Sequence, residues 1–199
     1  MYRPSAGSLA GSLSGGSTLQ TLIRCGPVGR AMPLASLRYR FRQPLEAPAD
    51  RAFAWCTDFG PADGPLFSER TERTVRWLSE DALVMTDTTY PKGRRRRIRR
   101  LVRLSPEERA WTNTHLDGPF RGSQYWYLVV ADGPDRSHLE FRGLRLERTP
   151  RALSAAEKER RAEECRRTDS GEWERRLAPA LARDLGGAAP PMPRRRRSP

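Results

Sequence analysis

The chain has 199 residues, with 37 Lys+Arg against 24 Asp+Glu and a formal net charge of +13. Its length suits one domain with flanks and a real core but not two typical domains, and no apolar run approaches the about 18 residues of a membrane span. The charge points to an anionic partner, yet about half of it lies in acid-free flanks (Arg3, Arg24 and Arg30, then Arg194 to Arg197), so the stretch between them requires no polyanion.

Residues 1–35 are rich in Gly and Ser and bury too little apolar surface to offset the entropy of ordering. A disordered leader, or an over-extended start with Met32 as the true first residue, is the expectation. A targeting role is the alternative, although a secretory h-region is lacking. Cys25, Cys56 and Cys165 stand far apart, with no C-x-x-C and no nearby histidine. No metal or cofactor is expected, and the compartment is expected to be the reducing cytoplasm.

Order should begin at Ser36. "SLRYRFRQPLEAP" alternates Leu37, Tyr39 and Phe41 with Arg38, Arg40 and Arg42, the period of a half-buried strand whose arginines are solvated. Pro48 opens a short helix with Ala49, Ala52, Phe53 and Cys56 on one side, ending before the Gly60-Pro61 and Asp63-Gly64-Pro65 breakers. Six strands follow, over 71–78, 82–90, 95–104, 109–116, 123–131 and 137–147, and their short connections imply an antiparallel meander. Ser154 and Glu157 form a capping box for a charged helix to about Arg167. A second helix, capped by Asp169 or Ser170, runs to Leu185 with Trp173, Leu177 and Leu181 in one apolar stripe, and Pro179 should kink it.

This order, with "FRQPLEAPADRAFAWCTDF" as opening strand, turn and helix and "RSHLEFRGLRL" as last strand, resembles the START/Bet v1-like (SRPBCC) superfamily, particularly its polyketide cyclase/dehydrase and lipid-transport branch. The resemblance spans residues 36–185 and leaves 186–199 as a disordered Arg-rich tail. It implies an α+β helix-grip fold, a curved antiparallel sheet of about seven strands wrapped around a long C-terminal helix. It also implies a cavity between them for a hydrophobic or amphipathic small molecule, with binding, transport or cyclisation/dehydration as the activity. The 150–170 segment is then a surface helix or a lid.

"YPKGRRRRIRRLVRL" becomes a hairpin if Lys92-Gly93 is its turn. The register then pairs Leu83 with Val102, Met85 with Arg100, Asp87 with Ile98 and Thr89 with Arg96, gathering Met85, Ile98, Val102 and Leu104 on the core face. Arg95, Arg97, Arg99 and Arg103 fall outside as a wet face that discourages edge pairing. Arg100 alone is sent inward, so either Asp87 or an anionic or carbonyl group of a ligand should meet it.

For the next two strands, either Trp111, Asn113 and His115 or Thr112, Thr114 and Leu116 face inward, and either Tyr125 and Tyr127 or Trp126 and Leu128. The first set of each is expected, because aromatic walls with a few convergent polar groups make a small-molecule site. With Phe141, Trp173 and Leu177 it completes the expected lining. His115 and Arg100 are weak catalytic candidates, a satisfied histidine being the plainer reading of His115, and His138 should share the outer face with Glu140 and Arg142. The competing function is a basic module that meets nucleic acid or an anionic membrane surface through the hairpin and Arg194 to Arg197. RNA binding by the domain would want aromatics among basic residues on one exposed face, whereas Tyr39 and Phe41 alternate with their arginines and argue for core.

Overall fold

The computed structural model describes residues 32–60, 66, 71–90 and 93–186. The alternating arginine segment is β1 (Leu34–Leu45), beginning two residues before Ser36. Leu37 and Tyr39 are buried and Arg38 and Arg40 exposed, as period two dictates for a sheet with one wet face. Pro48 caps α1 (Ala49–Cys56), whose Ala49 and Ala52 are buried.

The meander follows as β2 (Glu72–Trp77), β3 (Ala82–Thr89), β4 (Arg96–Ser105), β5 (Ala110–His115), β6 (Gln124–Ala131) and β7 (Ser137–Arg148). Each pairs antiparallel with the next, and β1 joins β7, giving the seven-stranded order β1-β7-β6-β5-β4-β3-β2. The arginine hairpin has the expected register, Met85 opposite Arg100 and Asp87 opposite Ile98. Gly93 takes the left-handed φ of +75° that its turn needs; Lys92 lies outside the described residues, as do residues 1–31 and 187–199, and with them most of the expected leader and tail, although Leu34 and buried Ala35 already belong to β1 and Gly186 to the last helix.

The C-terminal helix differs from expectation. The capping box forms, with Glu157 N–H donating to Ser154 Oγ at 3.2 Å and Ser154 N–H to Glu157 Oε2 at 2.9 Å. Instead of two helices there is one continuous run: α2 (Ala155–Glu172), a π turn (Trp173–Leu177) and α3 (Ala178–Gly186). Asp169 and Ser170 sit inside α2, and Asp169 accepts the hydroxyl of Tyr39 rather than capping a helix start. Pro179 has no N–H to offer and its ring crowds the preceding turn, and the chain answers with the wider turn, in which Ala178 N–H reaches the Trp173 carbonyl. The 150–170 segment lies on the sheet, with Arg161 Nη1 3.1 Å from Glu147 of β7 and Asp169 bonded to β1.

Leu83, Val102, Trp111 and Val129 from the sheet pack against Trp173, Leu177 and Leu181 from the helix. Full burial of each aliphatic chain contributes about 1.5–3 kcal/mol. This helix-grip arrangement separates a filled core from an open space beside it.

Candidate functional site

The inner face of the sheet is graded along the strands. One register row carries Leu104, Trp111, Tyr127, Phe141 and Phe41, and the next carries Val102, Asn113, Tyr125, Gly143 and Tyr39. The third pairs Arg100 with His115, and Arg145 stands two residues past Gly143 on the same face. Rows two residues apart are about 6.6 Å apart, so the lining passes from aromatic to charged within about 13 Å.

A cavity of about 400 Å³ lies between this face and the helix. Met85, Ile98, Arg100, Trp111, Asn113, His115, Tyr125, Tyr127, Phe141, Trp173 and Leu177 line it, as the alternation implied. Asp87 and Val102 do not. Val102 is wholly buried in the core beneath the lining, and Asp87 is covered by the two guanidiniums it binds.

The sequence reading missed Arg73, Arg96, Arg145, Asp169 and Glu172, together with Phe59, Phe120 and the α1 residues Trp55 and Cys56. Signals for some were present. Arg145 continues the Phe141, Gly143 alternation, and Asp169 precedes Trp173 by four residues, on the same helical stripe. Phe59 is buried at the cavity with φ +47°, a strained conformation for a bulky residue.

The charged end is a connected network. Arg73, opposite Asp87 in the β2–β3 register, donates from Nε at 2.8 Å and from Nη2 at 3.2 Å to its carboxylate, and Arg100 Nη1 donates to Oδ2 at 2.5 Å. Burial alone would raise the Asp87 pKa, but the hydrogen bonds from Arg73 and the charges of Arg100 and Arg73 hold it below the usual range. Arg100 Nε–H also donates to His115 Nε2 at 3.2 Å. Burial, then the Arg100 charge, lowers His115 to a pKa of about 4, so it is neutral near pH 7 with its proton on Nδ1.

On the helix side, Tyr39 donates to Asp169 Oδ2 at 2.5 Å. Gly143 permits this approach, because a Cβ there would lie 2.7 Å from the Tyr39 ring. Burial raises the pKa of Asp169 despite that hydrogen bond, and burial with the Asp169 charge raises Tyr39. The aromatic end is closely packed, with Trp111 stacked on Tyr127 at 4.6 Å and Phe41 on Phe141 at 4.5 Å. Between the two ends, Asn113 Oδ1 is buried with no hydrogen-bond partner among the described residues.

His138 is on the outer face as expected but is buried, not solvated. Pro44 and Val130 flank it in register, and its Nδ1 sits 2.8 Å from both Arg42 and Asp132. Among the described residues no His/Cys/Asp/Glu cluster could hold a metal, and no helix is long and apolar enough to cross a membrane.

No protein-family model and no curated protein matches the chain by sequence. Solved structures do match in fold. The Zhui aromatase/cyclase from Streptomyces sp. R1128 is 16% identical with a TM-score of 0.51, covering 77% of this chain and 93% of its own. A START superfamily protein from Mycobacterium smegmatis is 15% identical with a TM-score of 0.54, covering 73% and 97%. Norcoclaurine synthase from Thalictrum flavum, solved with dopamine and hydroxybenzaldehyde, is 12% identical with a TM-score of 0.55, covering 92% and 100%. At these identities the likeness is one of fold: the chain has the helix-grip fold of START/Bet v1-like proteins.

Proposed function

We propose that residues 36–185 form a ligand-binding domain whose cavity takes an amphipathic small molecule. Its apolar body lies against Trp111, Tyr127, Phe141 and Trp173, and its polar end meets Arg100, Arg145 and Asp169. The observation that carries this reading is the gradient from an aromatic row to a charged row inside one cavity of about 400 Å³, within the usual range for small-molecule sites. The buried, unpartnered Asn113 Oδ1 supports it, since a ligand hydroxyl or amide would satisfy that acceptor. Fold neighbours that include an aromatase/cyclase and a START protein are consistent with a polycyclic or lipid-like ligand.

Cyclisation or dehydration is a second reading, and one observation bears on it. His115 is a poor general base, because its Nε2 is taken by Arg100 and its pKa is about 4. Asp169 lines the cavity with a raised pKa and a phenol at hand, the better-placed group for moving a proton.

Titration with 1-anilinonaphthalene-8-sulfonate, an aromatic anion, tests binding. Saturable one-to-one fluorescence enhancement that persists at 0.5 M NaCl and is lost in Trp111→Ala is the expected result. Unsaturable binding, or binding unchanged in Trp111→Ala, would overturn the reading. Native mass spectrometry of freshly purified protein would then identify a carried ligand.

A further inference from the structure

On the face of the sheet opposite the cavity, the register lines up Arg103, Thr112, Trp126, Arg142 and Arg40 in one row across β4, β5, β6, β7 and β1. Strands spaced by about 4.8 Å make this row about 19 Å long. Arg38 lies two residues from Arg40 on the same face. From Thr112 to Arg40 the row runs through a groove of about 1020 Å³, which Arg38, Leu128, Leu144, Glu108 and Glu140 also line, and Arg103 lies past the groove at the β4 end of the row.

Two features of the row bear on what it could hold. Trp126 is 40% exposed, whereas Trp111 and Trp173 on the inner side are 4% and 8% exposed. Arg38, Arg40 and Arg103 are exposed and have no ion pair or hydrogen bond among the described residues, and Glu140 approaches Arg142 only to 3.9 Å. Elsewhere on this face Arg99 has Asp117 at 2.6 Å and Arg42 has Asp132 at 3.0 Å, whereas Arg76, Arg97 and Arg148 likewise have no ion pair among the described residues, so the row is set apart by the exposed indole between its guanidiniums.

We infer that this groove binds single-stranded nucleic acid, with phosphates against Arg38, Arg40 and Arg142 within it and against Arg103 at the end of the row, and a base stacked on the Trp126 indole. A sheet floor offering an aromatic ring among guanidiniums is the arrangement that holds unpaired bases, since every base has a π-face and every linkage a charge. Charge complementarity chooses this occupant over a second copy of the chain, whose identical face would bring arginines against arginines. The groove chooses it over a flat bilayer, because a flexible strand can enter a groove that a planar surface spans. All these side chains point away from the cavity, so this inference stands apart from the small-molecule reading.

Fluorescence anisotropy with a labelled oligouridine 12-mer and the full chain tests it. Each phosphate contact on a single strand contributes a salt slope of about −0.7, so four predict log Kobs falling against log[salt] with a slope of at least about −3 in magnitude. Trp126→Ala should weaken binding about tenfold, and R40Q with R142Q should lower the slope by about 1.4. Both effects should persist when Arg194 to Arg197 are replaced by Gln. Thermal melts identify any variant that fails to fold, and the arginine pair, fully on the surface, serves if Trp126→Ala does. Binding unaffected by either groove variant, or abolished by the tail replacement alone, overturns the inference. So does a groove whose variants alter only the binding of phosphatidylserine vesicles or only self-association in sedimentation.

Discussion

Arg100 donates its Nε–H to Nε2 of His115 across 3.2 Å, and through Nη1 it holds Asp87 as well. One guanidinium thereby joins a buried anion to a neutral imidazole at the charged end of the cavity. In the pairing of the strands, Met85, Arg100 and His115 follow one another across β3, β4 and β5.

The first expectation concerns His115. Its folded pKa of about 4 lies below the unfolded value near 6.5, so the unfolded chain takes up the proton first. Stability should therefore fall as pH drops from about 6.5 to about 4, by on the order of 3 kcal/mol. Urea denaturation across this window should show the slope in the parent protein and a flatter one in His115→Gln. In ¹⁵N NMR spectra at pH 7 the ring should be the Nδ1–H tautomer.

Asp87→Ala should destabilise by about 3–5 kcal/mol, because it leaves Arg73 and Arg100 buried without their shared anion. Adding Arg73→Met and Arg100→Met should recover much of the loss. Since Asp87 is held below its unfolded pKa, its contribution is present above about pH 4 and is lost as pH falls through the folded value. Chemical denaturation of the single and triple variants measures both effects.

Gly143→Ala should destabilise by about 1–3 kcal/mol, since the new Cβ meets the Tyr39 ring at 2.7 Å and backbone on one side of the contact cannot yield. Tyr39→Leu in the same chain should relieve most of that strain. A double-mutant cycle by thermal or urea unfolding would give a coupling well above experimental error; additivity would mean the two residues do not touch.

Asp169→Asn should raise the melting temperature by about 2–4 °C. The amide still accepts from the Tyr39 hydroxyl, while the charge that burial disfavours is gone. If Asp169 moves a proton in the cavity, the same variant loses turnover while binding 1-anilinonaphthalene-8-sulfonate at least as tightly. Calorimetry and a binding titration on one preparation separate these effects.

Much of the inner face was legible because a strand writes its orientation in period two. Once Gly93 marked a turn, the pairing of Asp87 with Ile98 and the inward Arg100 followed by counting, and so did the aromatic lining of β5 and β6. The same counting about Glu80, with Leu78 opposite Ala82, would have set Arg73 opposite Asp87. Asp87 and Val102 were misplaced as lining because alternation says which face a side chain takes, and not what lies over it there.

By itself, the amino-acid order determined the fold class, the meander, its register at the arginine hairpin and the apolar stripe that the sheet grips. These depend on neighbours within a turn or a hairpin, where turn chemistry and side-chain period act over short separations. Tertiary structure alone decided that Tyr39 meets Asp169 across 130 positions of sequence, that Pro179 is absorbed by a π turn, and that Arg142 and Arg40 are brought beside Trp126 in one row. Each of those is fixed by how distant surfaces fit in space, which no local period records.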